Sequence, residues 1–193
     1  MLLRLLQSLP ILTVLLLPQA TSAQTPAERL DRLTRVLDAD ERHVQLWWYG
    51  WLGVYGLAAG AQTGVAAFGR DRELVVTSGL GATSAFLGIG GLALSPVQPQ
   101  HRWPPLADAP LELQVRAAEA ELADRARRER QVGGWLDHTL CAVVAAGAAA
   151  YLWLHEDRPG MAAAVGAMNL VVGEVQLWTV PTVAARALER PTP

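Results

Sequence analysis

The chain contains no lysine, and all 16 of its basic residues are arginine. That uniformity reads as base bias in the coding sequence. It is not the mark of a nucleic-acid surface, because the net charge is -2 and such partners demand a basic face. Cysteine is nearly absent as well. Cys141 stands alone, which excludes an intramolecular disulfide. One cysteine and four histidines are too few for a metal site built wholly of soft ligands. Enzyme signatures are missing too. The chain has no Gly-x-Ser-x-Gly, no P-loop and no His-Glu-x-x-His. Gly88-Ile89-Gly90-Gly91 lies inside an apolar block, where glycines serve packing and not phosphate. No cofactor is implied, and an enzyme is not the favoured class.

Apolar residues make up 51% of the chain, a share that a soluble domain also reaches. Their distribution decides the class, because they gather into blocks with charges between them. Met161 to Pro181 is the most informative block. It is long enough to cross a hydrocarbon core of about 30 Å, which takes roughly 20 helical residues. Yet it carries Asn169, Glu174 and Gln176 where a plain anchor would carry leucine.

Met1 to Ala23 has the pattern of a secretory signal peptide. Arg4 supplies the basic start, Leu9 to Leu17 the apolar core, and Thr21-Ser22-Ala23 the small residues before a cleavage point. Thr25-Pro26-Ala27-Glu28 is a capping box with proline at the first helical position. Leu30, Leu33, Leu37 and Val44 then recur at helical spacing. Residues 24–43 are therefore expected to form an amphipathic extramembrane helix. It is either a solvated stalk or a docking face for a partner helix.

Val44 to Phe68 is the first expected span. Trp47, Trp48, Tyr49 and Trp51 open it, as aromatic residues do at a membrane interface. Gly56, Gly60 and Gly64 give it a bare stripe that admits a neighbouring backbone. A short polar turn leads to a second span, Leu74 to Ser95, so residues 44–95 read as a hairpin. Five prolines between Pro96 and Pro110 rule out regular helix there. Leu111, Val115, Ala118, Leu122 and Ala126 restore helical periodicity. That helix is expected to pack on residues 26–43 or to lie on the membrane surface. Residues 96–134 thus form a connector and a second amphipathic helix. Trp135 to Leu154 and Met161 to Pro181 make a second hairpin over residues 135–181. Residues 182–193 read as a polar, fraying tail.

The fold expected is an all-α integral membrane protein with four transmembrane helices arranged as two repeated hairpins. Gly81-Ala82, Gly88, Leu92 and Pro96 align with Gly166-Ala167, Gly173, Leu177 and Pro181. Glu41-Arg42, Val44 and Trp47 align with Glu129-Arg130, Val132 and Trp135. Repetition at long period is a fold-level signal, and two spans per half give both halves one orientation. The first half has Ile89, Gly91, Tyr49 and Gly50 where the second has Glu174, Gln176, Asp137 and His138.

The expected location is the bacterial inner membrane, with the mature N-terminus outside the cytoplasm. The positive-inside rule objects. Arg70, Arg72 and Arg158 fall in the inside turns, whereas twelve arginines fall in the outside segments. The signal-peptide pattern takes precedence because several of its parts match.

A carboxylate at the centre of a span costs on the order of 3 kcal/mol on insertion scales, so Glu174 should face the bundle. Asn169, Gly173 and Gln176 share one helical face with Gly166 nearby, and Glu174 points away from it. Gly166 and Gly173 are expected to be helix-packing positions. Asp137 and His138, near the start of the third span, can approach Glu174. Three readings follow: an interfacial polar cap, a proton or ion relay, or a metal site that adds His43. No His-x-x-x-His or Glu-x-x-His pair supports the metal, and none is assigned. The function classes that remain are a non-enzymatic structural or accessory subunit and a small transporter or ion-coupling subunit using Glu174. The partners expected are the lipid bilayer and either further copies of the chain or another membrane protein, with no nucleic acid.

Overall fold

A computed structural model describes residues 24–99 and 108–189. The expected signal peptide, the middle of the connector and the last four residues lie outside the described residues. Six helices are present among those described: α1 (Pro26–Phe68), α2 (Arg72–Leu94), α3 (Leu111–Gln131), α4 (Trp135–Leu154), α5 (Pro159–Trp178) and α6 (Val183–Glu189). The described fold is all-helical. Three stretches are long and apolar enough to cross a membrane: Arg72–Leu94, the Leu111–Leu154 stretch that contains α4, and Pro159–Trp178.

α1 begins at the expected capping box. The Thr25 hydroxyl accepts from the Glu28 N–H at 3.3 Å, and the Glu28 carboxylate accepts from the Thr25 N–H at 2.9 Å. These bonds satisfy donors that the first helical turn leaves open, and they hold the Glu28 carboxyl below its ordinary value. The expected stalk and first span are one unbroken helix of 43 residues. No glycine or proline separates Pro26 from Tyr49, so nothing in the backbone breaks the helix at residue 43. The Val44 to Phe68 half is not among the three apolar stretches, because its tryptophans, tyrosines and glycines dilute its hydropathy.

Glycine does separate α3 from α4. Gly133 has φ +80, a conformation that glycine adopts without the steric cost borne by other residues. The Asp137 carboxylate accepts from its N–H at 2.8 Å. Asp71 caps α2 in a similar way, accepting from the Leu74 N–H at 2.9 Å.

Two buried clusters organise the fold. The first joins the N-terminal half of α1 to α3 and α6, through Leu33, Leu37, Val115, Ala118, Leu122 and Ala126. The two amphipathic stripes read from sequence therefore pack on each other. Residues 182–193 depart from the expected fraying tail. Residues 183–189 form α6, with Ala184 and Ala185 buried in this same cluster. Val183, Ala184 and Ala185 are apolar and start just after Pro181, so a short helix can bury them. The second cluster joins Val44, Trp47, Tyr55 and Ala59 of α1 to Ala85 and Leu92 of α2, with Val172 and Val180 packed against it.

At the end away from the first cluster, the two hairpin turns are tied crosswise. Arg72 pairs with Glu156 at 3.0 Å, and Arg158 pairs with Glu73 at 2.6 Å. At the other end, Arg125 is 8% exposed and reaches three carboxylates. Glu121 lies at 2.8 Å, Asp40 at 3.1 Å and Glu41 at 3.2 Å. It also donates to the Leu37 carbonyl at 3.4 Å. Replacing Arg125 by methionine leaves these carboxylates facing one another without a cation. Removing one partner of a buried pair costs about 3–5 kcal/mol. Hydrogen exchange should show residues 26–43 and 111–131 losing protection in Arg125→Met, while α4 and α5 keep theirs.

Candidate functional site

The polar residues of α5 fall on opposite sides of the helix. Glu174 and Gln176 are two residues apart, which rotates one roughly 200° from the other. Gln176 faces α1. Its side-chain oxygen accepts from the Tyr55 hydroxyl at 2.7 Å, and its carbonyl accepts from the Trp47 indole N–H at 3.3 Å. A turn further, the Thr179 hydroxyl accepts from the Trp51 indole at 3.2 Å. Trp48 donates to the Leu92 carbonyl at 3.2 Å, near the end of α2. The aromatic cluster that opens the expected first span thus turns three indoles inward. They donate to carbonyl and hydroxyl acceptors near the C-terminal ends of α5 and α2. Tyr49 alone of the four is largely exposed, at 59%.

Glu174 faces α4. His138 Nδ1 lies 2.8 and 3.0 Å from its two carboxylate oxygens. With the carboxylate accepting, that ring nitrogen carries the hydrogen. The structure therefore brings His138 and Glu174 into contact. It does not bring Asp137 to them, since Asp137 caps the turn at Gly133. His43 is also elsewhere, bonded to the Ala39 carbonyl of its own helix at 2.7 Å. Among the described residues no three His, Cys, Asp or Glu side chains converge as a metal would require. The His138 side chain is 40% exposed and that of Glu174 21%, so the pair sits at the edge of the bundle. No hydrogen bond among the described residues links it to the Tyr55–Gln176 pair.

The glycines divide sharply. A Cβ on Gly173 would stand 2.8 Å from the Cys141 sulfur, and one on Gly166 would stand 3.0 Å from the Ala149 Cβ. Both lie where α5 meets α4. Gly56, Gly60 and Gly64 have nothing within 4 Å of a Cβ, so the stripe meets no other helix among the described residues. The close approach of α1 and α2 uses Gly88 and Gly81 instead. A Cβ on Gly88 would lie 2.6 Å from the Tyr55 ring, and one on Gly81 would collide with Gln62. Asn169 Nδ2 is buried and has no hydrogen-bond partner among the described residues.

Comparison with protein-family models, with curated proteins and with solved structures finds no match. The reading of the site therefore stands on its geometry.

Sequence reasoning passed over Tyr55, although an aromatic hydroxyl inside the Val44 to Phe68 run is a usable signal, since a buried tyrosine seeks a partner. Cys141 was legible only as an apolar residue, and its place against Gly173 follows from helix packing. The site as built is a set of interhelical ties. One joins α1 to α5 and another joins α4 to α5. A double-mutant cycle of Tyr55→Phe and Gln176→Leu should return a coupling of about 0.6 kcal/mol, with about 1.7 as the upper range for interhelical bonds in membranes. Unfolding of the purified chain in bicelles is the measurement, and additive single effects would show that the bond joins nothing.

Proposed function

We propose that this chain is a four-span membrane protein acting as a non-enzymatic structural or accessory subunit, which packs against further copies or another membrane protein. The single observation that carries the reading is the open glycine stripe of α1. Gly56, Gly60 and Gly64 have four-residue spacing, and among the described residues no neighbour lies within 4 Å of where their side chains would start. Stripes of small residues let helix backbones approach closely in lipid, where association depends on packing contact. The polar side chains of α5, by contrast, are largely committed to ties within the chain.

Several features support four spans in two repeated hairpins. The Val44 to Phe68 half of α1 packs along α2, itself long and apolar enough to cross a membrane. Gly81 and Gly88 contact α1 and Gly166 and Gly173 contact α4, with the same seven-residue separation in each half. The crossed ion pairs at the two turns bring corresponding ends of the hairpins together. The halves differ where α1 runs on unbroken and Gly133 interrupts its counterpart. The head made of α1, α3 and α6 lies outside the cytoplasm in this proposal, following the signal-peptide pattern, and the hairpin turns lie inside.

One observation favours a second reading, a proton-coupled transporter subunit. His138 and Glu174 at 2.8 Å form a pair able to take up and release a proton. The two readings separate on two variants. Gly60→Leu fills open space within the chain and should leave the monomer folded. Under the first reading it dissociates the assembly recovered in mild detergent, read as a loss of mass or of a stoichiometric partner. Glu174→Gln should leave that assembly intact. Proton flux into vesicles that vanishes in Glu174→Gln while assembly is indifferent to Gly60→Leu would replace the first reading by the second.

A further inference from the structure

We propose that the cleft where the head meets the bundle binds the ethanolamine headgroup of a membrane phospholipid, with the primary ammonium on Asp40 and Glu129 and the phosphate on Arg128. This inference rests on the four-span reading above, which puts the cleft at the membrane surface.

The cleft has room for one or two water-sized groups. Its walls come from α1, α3 and the start of the connector, with Asp40, Glu41, Gln98, Arg128 and Glu129 as polar members. Asp40 is 2% exposed. Its Oδ2 receives Arg125 at 3.1 Å, while its Oδ1 is buried with no donor among the described residues. A buried carboxylate oxygen without a donor is costly. Asp40 itself lines the cleft, so a donor seated there can meet that oxygen. Glu129, 5% exposed, accepts from the Ala185 N–H at 2.6 Å and the Ala184 N–H at 3.2 Å. A carboxylate has about four acceptor positions, so Glu129 can accept again. Gln98 gives its amide nitrogen to the Ala93 carbonyl at 2.6 Å and keeps its oxygen as a third acceptor. Three acceptors from three segments suit the three N–H groups of a primary ammonium.

Charge points to a cation. Asp40, Glu41 and Glu121 share Arg125, and Glu129 adds a fourth carboxylate beside Asp40. Arg128 is already paired with Asp124. Burial first, with Asp40 adding to it, pushes the Glu129 carboxyl up from its ordinary 4.5 to about 7, against the pull of the Ala185 and Ala184 N–H groups. Above that value the cluster carries its full negative charge, and a bound cation answers it. Depth points to a lipid as the source. Asp40 lies four residues before Val44, where the first span is proposed to begin, a rise of about 6 Å. A headgroup layer is about 5–8 Å deep on each side of the hydrocarbon core. Trp47 and Trp48 stand one turn deeper than Val44, at the level of an aromatic belt. Arg128, with its side chain 30% exposed, is the outer cation of the cleft, and guanidinium pairs well with phosphate. A choline headgroup carries methyl groups in place of the N–H donors and is too wide for the space. A glycerol headgroup has no cation.

The test is native mass spectrometry of the full chain at pH 8, in nanodiscs that hold phosphatidylethanolamine and phosphatidylcholine in equal amounts beside phosphatidylglycerol. The native chain should retain the ethanolamine lipid over the choline lipid by about tenfold, the scale of one charge-assisted hydrogen bond. Asp40→Asn puts an N–H group where the unpaired oxygen stands, and should return the retained lipids to the ratio of the disc. Retention at the disc ratio by the native chain overturns the proposal, and so does a preference that survives in Asp40→Asn. Should Asp40→Asn lose exchange protection over 26–43, the head has loosened and Arg128→Gln decides, since Arg128 is partly exposed and outside the apolar seam. A preference unchanged in Arg128→Gln is equally fatal. Soluble phosphoethanolamine, added to discs without the ethanolamine lipid, separates the two sources of the headgroup. Its binding to a chain that ignores the ethanolamine lipid overturns the lipid assignment. Recovery of the chain outside the discs overturns the four-span reading itself, whereas an embedded chain without lipid preference sinks this inference alone.

Discussion

Inside apolar surroundings a polar group must find its partner within the protein, since each one left unpaired costs several kcal/mol. In this chain that constraint falls first on Gln176. Its amide oxygen and its backbone carbonyl are both taken by α1, through Tyr55 and Trp47. α1 is also the helix that continues without a break into the head. The bonds that join the two hairpins therefore set the direction in which residues 26–43 leave the bundle, and hence where α3 and α6 can pack. Trp51 and Trp48 act in the same sense at the ends of α5 and α2. Gly88 permits this arrangement by leaving room for the Tyr55 ring that a side chain would occupy.

The head follows a different physical rule. It is built on a leucine and alanine seam, with a charged cluster at the end nearest the bundle. Arg125 beside Asp40, Glu41 and Glu121 adds little net stability compared with well-packed apolar side chains, because desolvation offsets much of the attraction. What it does is penalise misalignment. Sliding α3 by one turn along α1 would bury carboxylates without their cation. The cluster thus fixes the register of α3 against α1, while the apolar contacts supply the driving force. Within that cluster Asp40 Oδ1 is buried without a donor among the described residues.

Most of the helices were legible in the sequence because their signals are local. The Thr25 capping box, the leucines of α1 and the stripe from Val115 to Ala126 each depend on spacing within a few residues, and each appears where the spacing puts it. The contact of His138 with Glu174 also followed from antiparallel registration of two short-looped helices. What was not legible depended on pairing across the chain. The open face of Gly56, Gly60 and Gly64 could not be distinguished from a filled one, because spacing marks a face without naming its neighbour. The charged head carried a signal that went unused. Asp40 falls in the series Leu33, Leu37, Asp40, Val44, and Arg125 and Glu129 fall in the series Ala118, Leu122, Arg125, Glu129. Charged residues on an apolar stripe announce buried pairing. α6 was missed because seven residues are too few for periodicity to separate a helix from a tail.

The placement of Glu174 bears on which function is economical. It lies four residues before Trp178, and His138 lies three residues after Trp135. At 1.5 Å per residue each is about 5 Å from a tryptophan that is itself largely exposed, at 76% and 74%. In the proposed four-span arrangement that is interface depth, where aromatic residues gather and a charge is far less costly than at the bilayer centre. A carboxylate there needs no transported proton to account for it. A bond to His138 that ties α4 to α5 is sufficient. A relay through the bundle would have to cross α5 to reach the Tyr55 and Gln176 side, and no hydrogen bond among the described residues links the two pairs. The geometry is therefore spent on holding helices together. The Gly56, Gly60 and Gly64 face of α1 is left without a neighbour within 4 Å among the described residues.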